Sequence, residues 1–211
     1  MVAFREEIET ACAAHALTTL GVMQDDGRSH VLVGTGAAFW PLFTASLEYQ
    51  DGASDALDRW SQRIMPMIAE QTGAQGVVYP FGGPPYAPFI RWAFESGETF
   101  PSPVGMLVHA RAGFWISFRG ALVFDREIDA AALASPCPTC AAPCTTACPV
   151  GALAPDQDYD VPRCKAHVAS DAGRDCREGG CLVRRVCPVG QRFGRDPEQT
   201  AFHMRAFMGA S

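Results

Sequence analysis

Residues 137–151, which read CPTCAAPCTTACPVG, and residues 163–190, which read RCKAHVASDAGRDCREGGCLVRRVCPVG, organise this chain. Together the two stretches hold eight of the nine cysteines, and each stretch ends with the tetrapeptide Cys-Pro-Val-Gly. Eight cysteine thiolates are the number of ligands that two 4Fe-4S clusters need. The pattern therefore predicts a pair of iron–sulfur clusters.

The spacing of the first stretch resembles the bacterial ferredoxin run, in which two residues separate the second and third cysteines. Three residues separate them here. In two-cluster ferredoxins the fourth cysteine of the run, which precedes a proline, binds the other cluster. The same crossed rule predicts one cluster bound by Cys137, Cys140, Cys144 and Cys187. It predicts a second cluster bound by Cys148, Cys164, Cys176 and Cys181.

The second stretch is less regular and leaves alternatives open. Five residues separate Cys181 from Cys187 where a standard run has another cysteine, and Cys164 lies far upstream. Zinc also binds four cysteines, and His167 adds a candidate ligand three residues after Cys164. Disulfides would need an oxidising compartment, and a block that folds without metal is a further alternative. We expect His167 to lie at the surface or beside the ligands.

The residues before the cysteine block predict an α+β domain. Helical periodicity covers residues 3–16, 37–49 and 53–72, and a brief helix is expected around residues 89–93. Strands are expected at residues 16–23, 30–35, 76–81, 104–110 and 114–124, with a turn at residues 25–27. We place the domain boundary so that residues 1–130 form the α+β domain and residues 131–211 form the cysteine-rich domain.

The helix predicted over residues 53–72 carries an apolar stripe at helical spacing. Its members are Leu57, Trp60, Ile64, Met67 and Ile68. Such a stripe predicts a core-facing surface.

Two other positions in the predicted helices carry expectations of their own. Pro66 predicts a kink or the start of a second helix, because proline lacks the backbone N–H that a helix interior needs. Cys12, the ninth cysteine, lies on the apolar face of the N-terminal helix and is expected in the core.

The composition is that of a globular protein with 19% charged residues. A net charge of −6 argues against nucleic-acid binding by bulk electrostatics. The sequence has no apolar run that approaches the roughly 20 residues of a membrane span. The acidic N-terminus does not read as a secretory signal, so we expect a cytoplasmic protein without membrane contact.

The cysteine block and the domain before it resemble a known family. The carrying residues are CPVGAL at 148–153, the pair Arg163-Cys164 after its long spacer, and GGCLVRRVCPVG at 179–190. They resemble the catalytic core of epoxyqueuosine reductase and the related reductive dehalogenases, which are corrinoid-dependent iron–sulfur enzymes. Residues 102–124 are similar to a strand pair in that core and in the cobalamin-processing protein of the vitamin B12 pathway.

The resemblance implies a nitroreductase-like α+β sandwich, followed by a small, mostly helical ferredoxin-like module. It implies that cobalamin lies near the first cluster, with His109, Phe114 and Trp115 beside the corrinoid. It also implies a redox partner protein, such as a reductase, a ferredoxin or a flavodoxin. No general acid is identified, since the carboxylates of the candidate loop, Glu95 and Glu98, are expected to be exposed.

The leading expectation is an iron–sulfur electron-transfer protein with two 4Fe-4S clusters, as a plain carrier or as the redox core of a corrinoid-dependent reductase. Two further hypotheses remain. One is a cobalamin-binding or trafficking protein with a structural cysteine module, and the other is a zinc-stabilised interaction module.

Overall fold

The computed structural model describes residues 2–209, which divide into two compact units. The first unit contains residues 2–100 and Ile116–Ala134, and the second contains Pro101–Trp115 and residues 135–209. Pro101–Trp115 precedes the predicted boundary along the chain, yet it groups with the cysteine block. Residues 210 and 211 of the predicted second domain lie outside the described residues.

The described chain is a mixed α/β fold, compatible with the predicted α+β class. Its helices are α1 (Val2–Ala13), α2 (Phe39–Thr44), α3 (Leu47–Gln50), α4 (Ala56–Thr72), α5 (Phe89–Glu95), α6 (Val161–Ala169), α7 (Arg174–Gly179), α8 (Leu182–Arg185), α9 (Pro188–Phe193) and α10 (Pro197–Met208). Its strands are β1 (Leu17–Asp25), β2 (Arg28–Thr35), β3 (Gly76–Val78), β4 (Thr99–Pro101), β5 (Leu107–His109) and β6 (Phe118–Phe124).

The first unit is built on a four-stranded sheet in the order β1-β2-β6-β3, with every neighbouring pair antiparallel. Strands β1 and β2 form a hairpin closed by Asp26 and Gly27, with φ of 45° and 76°. A two-residue Asp-Gly loop with both φ values positive matches the right-handed twist of the flanking strands. Helix α4 packs on β3 and β6, and α1 packs on α4 and β1.

Helix α4 confirms most of the predicted stripe and corrects one member of it. Leu57, Trp60, Ile64 and Ile68 are buried, but Met67 is 50% exposed, while Met65 is fully buried. The buried face of α4 also includes Ser61, Met65 and Thr72. Apolar residues at helical spacing predict a buried face, but they do not determine whether Met65 or Met67 belongs to it.

The structure tests the expectations for Pro66 and Cys12. Helix α4 runs through Pro66 as one element, so no second helix begins there. Cys12 is completely buried in the core, as predicted. Burial, with the nearby Glu9 carboxylate, raises the pKa of the Cys12 thiol to about 12.

The expectation that Glu98 is exposed is wrong. Its side chain is completely buried, and Arg5 of α1 donates to it at 2.9 Å. A buried carboxylate needs such a partner, because an unpaired charge is costly in an apolar interior. The partner lies 93 residues away in the chain, so local sequence gives no sign of it.

The second unit is a set of short helices joined by turns. Proline occupies the first turn of α6, α9 and α10, where its missing N–H costs no helical hydrogen bond. Helix α10 packs on α7, and the Thr200 hydroxyl donates to the Gly179 carbonyl at 3.1 Å. Between residues 2 and 209, no helix is long and apolar enough to cross a lipid bilayer.

The Arg5–Glu98 pair generates a stability prediction. Arg5→Met strands the buried Glu98 carboxylate, and we expect it to lower the free energy of unfolding by about 3 kcal/mol. Arg28→Met is the matched control, since Arg28 pairs with Asp125 at 2.8 Å with both side chains more than half exposed. We expect it to cost less than about 1 kcal/mol. Urea-induced unfolding measures both, and equal costs would contradict the prediction.

Candidate metal centres

Four cysteines line one apolar pocket of the second unit, here named the first pocket. They are Cys137, Cys140, Cys144 and Cys187. The rest of the wall is proline, valine, alanine and one phenylalanine, and the pocket holds about 360 Å³ of non-atom space, part of it open to solvent. The crossed rule predicted this group of four cysteines, and the chain brings them to one pocket.

Local backbone structure positions these four cysteines. A turn closed by the Cys140 N–H to the Cys137 carbonyl, at 3.0 Å, carries the first two. Cys144 lies in a 3₁₀ turn over Pro143–Thr145. Cys187 immediately precedes Pro188, the first residue of α9. Three side chains therefore come from one tight loop and the fourth from a helix start much later in the chain.

The first pocket concentrates thiol groups in an apolar setting. Burial raises the pKa of Cys137 and of Cys144, and the neighbouring thiols, including Cys187, raise it further. The Ala142 N–H lies 3.4 Å from the Cys140 sulfur and donates to it. Such a site disfavours free thiolates and favours thiolates whose charge is compensated by bound cations.

The other four cysteines line a separate pocket of the same unit, here named the second pocket. They are Cys148, Cys164, Cys176 and Cys181. This pocket holds about 340 Å³ of non-atom space and is also walled mainly by apolar side chains, with Met204 of α10 among them. His167 lines it as well. Within the described part of the chain, the two pockets share no lining residue.

Helices position most of the second group. Cys164 lies in α6, Cys176 lies in α7, and Cys181 immediately precedes α8. Cys148 lies in a turn, and the Ala152 N–H donates to its sulfur at 3.2 Å.

Tyr159 is a neighbour of the second pocket that the sequence did not single out. Burial and a hydrogen bond to Cys164 raise the pKa of the Tyr159 phenol. In the other direction, this hydrogen bond stabilises the Cys164 thiolate, although burial keeps the pKa of that thiol above its ordinary value. The phenol is therefore a hydrogen-bond donor to one sulfur of the second pocket.

The two Cys-Pro-Val-Gly tetrapeptides adopt different structures. After Cys148 the chain makes a turn, with Gly151 at φ 62° and its N–H bonded to the Cys148 carbonyl at 3.2 Å. After Cys187 the same residues form the first turn of α9. The shared letters therefore fix a cysteine before a proline, and the surroundings decide whether a turn or a helix comes next.

The three residues assigned to a corrinoid by resemblance are buried. His109 is 1% exposed, and its Nδ1 accepts hydrogen bonds from two backbone amides, at 3.1 Å each. Phe114 lines the first pocket, and Trp115 lies under the Arg195 guanidinium.

The donor set fits iron–sulfur clusters by its chemistry. All nine cysteines are free, and eight of them are soft sulfur donors divided equally between two apolar pockets. Among residues 2–209, no group of three or more histidine, cysteine, aspartate or glutamate side chains is arranged to hold a metal ion. The eight sulfurs border two pockets instead.

Comparisons with known proteins identified no relative of this chain. No family model matches the chain, and neither a curated protein nor a solved structure matches it significantly.

Proposed function

We propose that this protein transfers single electrons through two 4Fe-4S clusters, one in each pocket of the second unit. The division of eight cysteines into two sets of four, in the crossed order of a two-cluster ferredoxin, carries the proposal. The finer expectation of a ferredoxin-like module belongs to the same proposal.

The surroundings of the sulfurs support redox chemistry. Bound clusters would supply one-electron oxidation and reduction, at potentials that hydrogen bonds to sulfur and solvent exposure adjust. The protein contributes N–H donors to Cys140 and Cys148 and the Tyr159 phenol to Cys164. Its apolar walls limit the access of water to both pockets.

The spacing of the cysteines favours clusters over single zinc ions. Zinc sites commonly pair two C-x2-C units, whereas this block has one such unit, Cys137 to Cys140. A cysteine followed by proline is instead a feature of the ferredoxin run. His167 lines the second pocket and is a candidate zinc ligand there, so metal analysis must include zinc.

The first unit is the part of the protein that would interact with a redox partner or a cofactor. A nitroreductase-like domain, as the resemblance implies, would dock a redox partner protein or hold an organic cofactor. The corrinoid site at His109, Phe114 and Trp115 stays an expectation of the resemblance, and these three side chains are buried. The proposed activity is electron transfer with a redox partner.

Metal content tests the proposal. Protein purified without oxygen should contain about eight irons and about eight sulfides per chain, because each cluster contributes four of each. Iron and acid-labile sulfide assays measure this, with zinc determined in the same sample. Zinc without iron would contradict the proposal and favour the zinc-stabilised module.

Two serine variants test the crossed ligand sets. Cys187→Ser should damage the cluster of the first pocket, and Cys148→Ser should damage the cluster of the second, because each removes one ligand from a different set. Electron paramagnetic resonance of the reduced proteins separates the two signals. Cys12→Ala is the control and should retain about eight irons, since Cys12 lies in the core of the first unit. Loss of the same signal in both serine variants would refute the crossed arrangement.

Tyr159→Phe tests the hydrogen bond to Cys164. A donor to a ligand sulfur favours the more negative, reduced cluster, so its removal should lower the reduction potential of the second cluster. A redox titration followed by electron paramagnetic resonance measures both potentials in one sample. Tyr86→Phe, which alters an exposed tyrosine of the first unit, should change neither. An unchanged second potential in Tyr159→Phe would contradict this role.

A further inference from the structure

The segment Pro101–Trp115 forms part of the first pocket, although it lies well before the first cysteine of the block. Pro103, Val108 and Phe114 contribute to the pocket wall. Phe100 and Ile116, which flank the segment, both belong to the first unit. The first pocket is therefore walled partly by a stretch of chain inserted between two parts of the other unit.

A tight turn shapes the end of this segment. The backbone groups of His109 and Gly113 exchange two hydrogen bonds of 2.9 Å. Inside the turn, the His109 Nδ1 atom accepts the N–H groups of Arg111 and Ala112 at 3.1 Å each. The His109 ring is 1% exposed and serves as an internal acceptor that holds the turn together.

Gly113 brings this turn against the start of α9. A Cβ atom at position 113 would lie 2.5 Å from the Gly190 nitrogen and 3.1 Å from the Cys187 sulfur. The residue also has φ of 59°, a left-handed conformation that favours glycine. Any side chain here would push against the backbone beside Cys187.

Further contacts hold the same segment to the cysteine block. The Arg184 guanidinium donates to the Phe114 carbonyl at 2.6 Å. A Cβ atom on Gly190 would lie 3.0 Å from the Trp115 Nε1 atom, so this side of the contact is also close. The segment and the start of α9 therefore approach each other closely at two glycines, Gly113 and Gly190, beside Cys187.

The second pocket is built from one continuous region of the chain. Within residues 2–209, the residues that line it lie between Cys148 and Met204, in the cysteine block and the helix after it. The two pockets thus differ in the stretches of chain that must be in place for four cysteines to face one space.

We infer that Gly113 is a positioning residue for the first cluster, and that the turn of Pro101–Trp115 holds Cys187 where it completes that ligand set. This inference rests on the proposed function. The second cluster assembles from residues 148–204 and does not need the turn. Whether the first pocket holds a cluster therefore depends on Pro101–Trp115, a segment whose two ends are joined along the chain to the first unit.

A pair of glycine variants in the full chain tests the inference. Gly105 and Gly113 both have positive φ, at 73° and 59°, so alanine strains the backbone at either position. A Cβ on Gly105 meets no atom within 4 Å, whereas a Cβ on Gly113 collides with Gly190. Gly113→Ala should retain about four irons per chain and only the second cluster's signal, while Gly105→Ala should retain about eight irons.

The outcomes separate this inference from the proposed function. Wild-type protein without iron would overturn both. Wild-type protein with about eight irons, together with a Gly113→Ala variant that keeps both signals, would overturn the inference alone. Equal loss of both clusters in Gly113→Ala would also overturn it, since the second pocket is inferred to be independent. Loss of the first cluster in Gly105→Ala would attribute the effect to backbone strain and contradict the role of the Cys187 contact.

Variants of His109 test the turn without adding bulk beside Cys187. His109→Leu removes the internal acceptor, and His109→Asn keeps an acceptor oxygen near the Nδ1 position. In air, the first cluster of His109→Leu should bleach roughly tenfold faster than that of wild type, because the variant loses both hydrogen bonds to the Nδ1 atom. His109→Asn should bleach at close to the wild-type rate, and the second cluster should be unaffected in both. Equal rates for the two variants would contradict the role of the turn.

Discussion

The cysteine-rich unit depends on one constraint, which is that each pocket combines cysteines from both stretches of the block, 137–151 and 163–190. Cys187 joins three cysteines of the early loop, while Cys148 leaves that loop and joins three later ones. Because each stretch contributes cysteines to both pockets, residues 137–187 form a single structure although the helices of this unit are short. Under the proposed function, bound clusters would add cohesion to these short helices.

The apolar walls of the pockets affect the ionisation of several cysteine thiols that line them. Grouped thiols in an apolar pocket have raised pKa values, as those of Cys137, Cys144, Cys164 and Cys176 are. Holding them as thiolates requires cationic ligands or hydrogen-bond donors close to sulfur. Backbone amides and the Tyr159 phenol provide donors, and bound iron would provide the positive charge.

Local chemistry made several features predictable from the sequence. The Asp26-Gly27 hairpin follows from the turn that those residues favour, and the two groups of cysteines follow from spacing and the Cys-Pro ends. Features that depend on distant partners were missed. Burial of Glu98 depends on Arg5, and the burial of Met65 in place of Met67 depends on the side of α4 that meets the sheet. The grouping of Pro101–Trp115 with the cysteine block depends on contacts with residues some 70 positions later.

The two Cys-Pro-Val-Gly tetrapeptides show how far a motif specifies a site. Both place a cysteine before a proline at a pocket, so the position of this candidate ligand follows from the motif. Gly151 has no neighbour that a Cβ would meet and turns the chain with a positive φ, whereas Gly190 is helical and lies against Gly113 and Trp115. The second tetrapeptide thus lies against a segment from outside the block. The first tetrapeptide instead accepts hydrogen bonds from the Gln157 side chain at 2.7 Å and from Arg163 of α6 at 3.5 Å. Equal sequence therefore places a cysteine at a pocket in both cases, whereas the contacts of the glycine two residues after the proline depend on the rest of the chain.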